Sequence, residues 1–103
     1  MSVRVNAQSF EEEVLNSDVT VLADFYSDSC VPCKRLSPVL ADIEEQFENK
    51  IKVAKVNINF DAELAEKYEV QAAPTLIFFK NGKETARLRG AIKKSDITDI
   101  LEK

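Results

Sequence analysis

Two cysteines stand three positions apart in Ser29-Cys30-Val31-Pro32-Cys33-Lys34, and the 103-residue chain has no others. Thiols so spaced at a helix start can close a disulfide, because their Cα atoms fall near the ~5.5 Å that the bond prefers. A strand-like run ends just before them and a helical pattern begins at them, which is the setting of a dithiol redox site. A helical projection puts Cys33 on the Leu36/Leu40/Phe47 face, hence buried. Cys30 falls off that face at the helix tip, beside backbone N–H groups without partners and the positive end of the macrodipole. The dipole alone stabilises a thiolate there by about 0.3–2 kcal/mol. The chemistry expected is exchange: Cys30 attacks a disulfide in another protein, and Cys33 resolves the mixed disulfide. An inert thiol pair or a structural clip is the competing reading of the same two residues.

Asp24 lies inside an apolar strand, where an unpaired charge is costly to bury. Its carboxylate could take the proton from Cys33 as that thiol becomes the attacking group. Lys55, on the neighbouring strand and on one face with Ile51 and Val53, could reach Asp24 and tune its charge. An ordinary Asp–Lys pair at a strand end, with Lys55 reaching out to water, accounts for the same pattern. Pro74 opens a strand after Ala72-Ala73. It is either an edge marker or the second residue of a cis Ala73–Pro74 bond that turns the Ala73 backbone toward a partner.

Composition narrows the classes. Histidine is absent, which removes His general acid–base catalysis and every His-ligated metal site; no metal and no cofactor is expected. Net charge is −4 and no basic run is present, so nucleic acid is not an expected partner. No apolar run approaches the ~20 residues of a membrane span. Met1-Ser2-Val3-Arg4-Val5 lacks the pattern of a signal peptide, which points to the cytoplasm. The length suits one domain over residues 1–103, with nothing in the pattern suggesting an oligomer.

The positioning elements follow from periodicity. Residues 2–5 alternate as a first strand. Ser9-Phe10-Glu11-Glu12 has the form of a capping box ahead of a short helix with Phe10 and Val14 inward. Residues 19–26 are apolar on both faces, as in a central strand covered on both sides. From Cys33 to Glu48 apolar residues recur at helical spacing, with Pro32 in the first turn and Pro38 inside the pattern, where a kink is expected. Residues 51–58 form another strand, parallel to the central one because a helix intervenes. Asp61 caps a short helix to Tyr68. Residues 75–80 and 83–89 are strands joined by the hairpin turn Asn81-Gly82. Ser95 caps a last helix with Ile97, Ile100 and Leu101 inward. The order β-α-β-α-β-α-β-β-α implies an α/β fold with helices on both faces of a mixed sheet.

Tyr26 to Lys34, Ala73-Pro74-Thr75, Lys80-Asn81-Gly82-Lys83 and Arg89-Gly90-Ala91 stand in the order and spacing of the thioredoxin family. The chain resembles that family from about residue 10 to 101, and Asp24, Pro38, Lys55 and Gly90 also fall at its positions. The resemblance implies a thioredoxin fold, with a five-stranded sheet in the order 1-3-2-4-5 and four helices. It implies a cis Pro74 packed against the dithiol, a buried Asp24 carboxylate and Cys30 as nucleophile. Target proteins would lie as an extended segment over Val31, Ala73, Pro74, Gly90 and Ala91, with Ser29 and Pro32 beside the sulfurs. A thioredoxin reductase would regenerate the dithiol.

Some positions depart from the family. Ser29 and Tyr26 stand where tryptophan is frequent, Val31 where glycine is usual, and Ala72-Ala73 where Gly-Ile is common. Arg89 brings a positive charge to the edge of the implied groove. Pro32 keeps the reducing type of motif, so a protein disulfide reductase is the leading expectation. A disulfide oxidase or isomerase fits less well without histidine between the cysteines. A binding module with incidental thiols is the reading from another class.

Overall fold

The computed structural model describes residues 3–102. Ser2, which the alternation places in the first strand, lies outside the described residues. Five strands form one sheet: β1 (Val3–Arg4), β2 (Thr20–Tyr26), β3 (Ile51–Asn57), β4 (Thr75–Lys80) and β5 (Lys83–Arg89). Their spatial order is β1-β3-β2-β4-β5. β3 runs parallel to both β1 and β2, whereas β4 is antiparallel to β2 and β5. A π-helical turn (Glu11–Leu15) and three helices, α1 (Val31–Gln46), α2 (Ala62–Lys67) and α3 (Lys94–Leu101), cover the sheet.

Alternation along the strands divides the core into two layers. Val21, Ala23 and Phe25 of β2 face the π-helical turn and α2, packing with Phe10, Val14, Leu64 and Phe79. Leu22 faces the other way, with Val53, Leu76 and Phe78, against Leu36, Leu40 and Ile43 of α1 and Ile97 of α3. Each of the Val, Leu, Ile and Phe side chains among them, fully buried, contributes about 1.5–3 kcal/mol. Asp24, two residues beyond Leu22, therefore points to the α1 face. Helix α1 runs on through Pro38, whose missing N–H leaves the Lys34 carbonyl without its intrahelical donor.

The local signals hold with three corrections. The first turn is capped from Asn6, not Ser9. Asn6 Oδ1 accepts the Gln8 and Ser9 amides at 2.9 and 3.0 Å, while Ser9 Oγ accepts the Asn6 amide at 3.1 Å. The reciprocal box is thus Asn6-x-x-Ser9, which leaves Glu12 free on the surface. The turn then widens, the Asn16 amide bonding the Glu11 carbonyl five residues back at 2.8 Å. Asp61 stands at the start of α2, but its Oδ1 accepts the Ala7 amide at 3.3 Å, joining two loops instead of capping. Helix α3 begins at Lys94, so Ser95 lies inside its first turn, and the Asp96 carboxylate closes the end by accepting the Lys93 amide at 3.0 Å. Asn81 and Gly82 turn the hairpin with φ of 53° and 79°, the type I′ signature. A Cβ on Gly82 would come within 3.0 Å of the Leu15 carbonyl oxygen, so close approach also requires glycine there.

Candidate active site

Helix α1 starts where β2 delivers the chain to the carboxyl end of the sheet. Cys30 is the residue before the helix, with φ −90° and ψ 109°, and Pro32 sits in the first turn. The Cys33 amide donates to Cys30 Sγ at 3.1 Å. One of the otherwise partnerless amides of the helix start is therefore aimed at the Cys30 sulfur. Cys30 and Cys33 form a disulfide with Cα atoms 5.2 Å apart. Their surroundings differ as the helical projection requires: Cys33 is only 6% exposed, and Cys30 is half-buried.

Beneath Cys33 lies a cavity of about 220 Å³, lined by Asp24, Cys33, Ser37 and Lys55 among others. Asp24 and Lys55 are directly opposite on β2 and β3. Asp24 is 2% exposed and its Oδ1 has no hydrogen-bond partner among the described residues. Burial pushes its carboxyl up from 3.8 to about 6, against the lowering pull of the Lys55 charge. The Lys55 ammonium makes its hydrogen bond with Ser37 Oγ, at 3.0 Å. The expected Asp24–Lys55 proximity is present, but the contact runs through space and not through a bond.

The Ala73–Pro74 bond is cis. Pro74 precedes Thr75, the register partner of Phe25 on β2 and of Arg89 on β5. That register sets the proline at the dithiol end of the sheet. The Gly90 amide donates to the Pro74 carbonyl at 3.2 Å, so Gly90 flanks Pro74. Ser29, Val31, Pro32, Gly90 and Ala91 are exposed, Ala73 is half-buried and Pro74 is buried. Val31, 56% exposed, is one of two large apolar residues left in solvent among the described residues.

Three polar side chains enter the site without a motif to announce them: Ser37, Asn57 and Asn59. Asn57, buried, donates to the Asp28 carboxylate at 3.3 Å, and Asn59 Oδ1 accepts from Ser27 Oγ at 3.0 Å. These bonds tie the loop before Cys30 to the end of β3. Asparagines at a strand end and in the loop after it carry no signal of that pairing. Ser37 was readable, since four residues after Cys33 it must share the same helix stripe.

A cysteine pair at a helix start, at the same end of the sheet as a cis-proline and over a cavity with a buried carboxylate, defines a protein of thiol–disulfide exchange. Comparison with known sequences makes the class specific. The family model described as Thioredoxin matches residues 1–103. Thioredoxin 1 of Nostoc sp. is 40% identical over 102 residues, covering 99% of this chain and 95% of the relative. Thioredoxin of Rickettsia bellii is 39% identical over 101 residues, covering 98% and 96%. The chloroplastic M-type thioredoxin of Spinacia oleracea is 39% identical over 99 residues, covering 96% of this chain and 55% of the relative. The chain belongs to the thioredoxin family, and its close Cys30–Cys33 pair is that of a protein disulfide reductase.

Proposed function

We propose that this chain, acting as one domain over residues 1–103, reduces disulfides in target proteins with Cys30 as nucleophile and Cys33 as resolving thiol. The Cys30 thiolate attacks one sulfur of the target disulfide. The new Cys30–target bond forms as the target bond breaks, and the first target thiolate leaves. Asp24 takes the Cys33 proton, and the resulting thiolate attacks Cys30 Sγ. The Cys30–Cys33 disulfide closes, the second target thiolate leaves, and two electrons have passed to the target. Lys55 tunes the charge of Asp24. A thioredoxin reductase restores the dithiol with two electrons and two protons.

The observation that carries this reading is the unequal burial of the two sulfurs, with a backbone amide aimed at the more exposed one. An extended target segment would lie over Ser29, Val31, Pro32, Ala73, Gly90 and Ala91, which are exposed or half-buried, and over the buried Pro74 between them. We assign the protein to the cytoplasm, as a monomeric carrier in electron transport and cell redox homeostasis. No helix among the described residues is long and apolar enough to cross a membrane.

A trapping experiment tests the roles. Cys33→Ser should hold targets on Cys30 as mixed disulfides that a reductant releases, and Cys30→Ser should hold none. If Cys30→Ser traps as many targets, the assignment is reversed and the reading fails. Full insulin-disulfide reduction by Cys30→Ser would overturn it as well.

A further inference from the structure

We propose that Ser37 is a positioning residue of this site: its hydroxyl holds the Lys55 ammonium away from Asp24 and so preserves Asp24 as a proton acceptor. The proposal rests on the assignment of Asp24 above but adds a residue and a device to it.

Asp24 and Lys55 are register partners on adjacent strands, which lie about 4.8 Å apart. Their side chains share one face and one cavity. Opposite charges so placed in a poorly solvated site would ordinarily close a charge-assisted hydrogen bond. Here they do not. The Lys55 ammonium donates to Ser37 Oγ at 3.0 Å, and Asp24 Oδ1 is left buried with no hydrogen-bond partner among the described residues. Ser37 lies one helical turn beyond Cys33, so its hydroxyl hangs from α1 over the same cavity. The lysine is drawn up to the helix, and the carboxylate stays beneath the thiol.

The consequence is chemical. A closed Asp24–Lys55 pair would favour the ionised carboxylate and make it a weaker base. An ammonium held at Ser37 still lowers the carboxyl, but burial outweighs it, and the group stands at about 6. The other charges lining the cavity are Arg4 from β1, Asp28 from the loop before α1, and Lys34 from α1, with Tyr26 from β2. From β4 the residue opposite Asp24 is Leu76, which carries none. No other side chain than Ser37 is hydrogen-bonded to the Lys55 ammonium among the described residues.

The test is an NMR titration of the Asp24 carboxyl carbon in the oxidised full-length chain, where neither cysteine titrates. Ser37→Ala should move the midpoint down by about one pH unit, the low end of what an opposite charge within about 4–6 Å does to a carboxyl. Ser37→Thr, which keeps the hydroxyl, should restore the original midpoint. In a Lys55→Met background, Ser37→Ala should have no effect. A midpoint unmoved by Ser37→Ala, or one that moves equally without Lys55, overturns the proposal. The pH–rate profile of insulin reduction separates this from the assignment of Asp24. If the midpoint falls while the rate profile stays, Ser37 positions Lys55 as proposed, and the proton role of Asp24 is what fails.

Discussion

The face of the sheet beneath α1 has two levels that differ by one step along each strand. At the inner level Leu22 and Val53 meet Leu36 and Leu40, all at most 2% exposed. One step toward the carboxyl end, Asp24 and Lys55 meet Cys33 and Ser37 around a cavity. The same strands and the same helix stripe build both levels. The inner one excludes water around well-packed hydrocarbon and contributes stability. The outer one buries a carboxyl oxygen, Asp24 Oδ1, that has no hydrogen-bond partner among the described residues, which costs stability. Chemistry is thus placed where the packing layer ends, and the level below holds the geometry that the level above uses.

The largest effect should come from breaking the inner level. Leu40 is 1% exposed, and Leu40→Ala removes its packing without touching the dithiol. The expected loss is about 2–5 kcal/mol of unfolding free energy, measured by urea denaturation. Insulin reduction per folded molecule should remain near the unaltered rate under conditions where the variant is folded. A stable variant with lost turnover would show that the two levels are not separable in this way.

Most of this division was legible in the sequence. The apolar run around Leu22 fixes a central strand, and the spacing of Leu36, Leu40 and Ile43 fixes which stripe of α1 it meets. From those two facts Cys33 must be buried and Cys30 must stand nearer to solvent, as found. Asp24 inside the strand was visible as an anomaly, but its two readings could not be separated, because a strand pattern places Cα atoms and not the ends of long side chains. Where the Lys55 ammonium goes depends on whether Ser37 offers an oxygen, and periodicity carries no such information. The same reason explains the helix starts. Asn6, Ser9 and Ser95 are all competent caps, and the choice among them turns on where the preceding chain enters.

A smaller effect, of opposite sign, is expected from repairing the outer level. The Asp24 carboxyl stands at about 6 in the folded chain, against 3.8 for the free group. The folded state therefore binds this proton more tightly than the unfolded one. The stability gained from the protonated form is complete below about pH 4 and is lost as pH rises through about 6. The shift corresponds to on the order of 2–3 kcal/mol. Asp24→Asn, which cannot ionise, should be more stable than the unaltered oxidised chain by on the order of 2 kcal/mol at pH 8, and by little below pH 4. The same variant should reduce insulin more slowly at neutral pH. Equal rates across pH 6–9 would leave Asp24 a cost with no chemical return, and the contrast between levels would lose its functional half.

The smallest effect concerns the rim, where neither level reaches. Arg89 is exposed at the end of β5, next to Gly90, and lines a groove of about 750 Å³ with Glu66, Glu69 and Gln71. Its charge reaches Glu84, whose carboxyl is held below its usual value chiefly by the hydrogen bond from Arg87. No hydrogen bond or ion pair ties the Arg89 guanidinium itself among the described residues. A free charge beside the target surface should act on choice of target and not on the exchange step. Exposed pairs contribute about 0.2–1 kcal/mol, so two peptide disulfides differing only in an acidic or a basic flank should differ about 1.4- to 5-fold in kcat/KM, the acidic one favoured. Arg89→Val should bring that ratio toward one, chiefly through KM, and about 0.5 M salt should do the same to the unaltered chain. A ratio that survives both changes would place selectivity elsewhere on the rim. A fall in kcat for both peptides would mean that Arg89 belongs with the outer level after all.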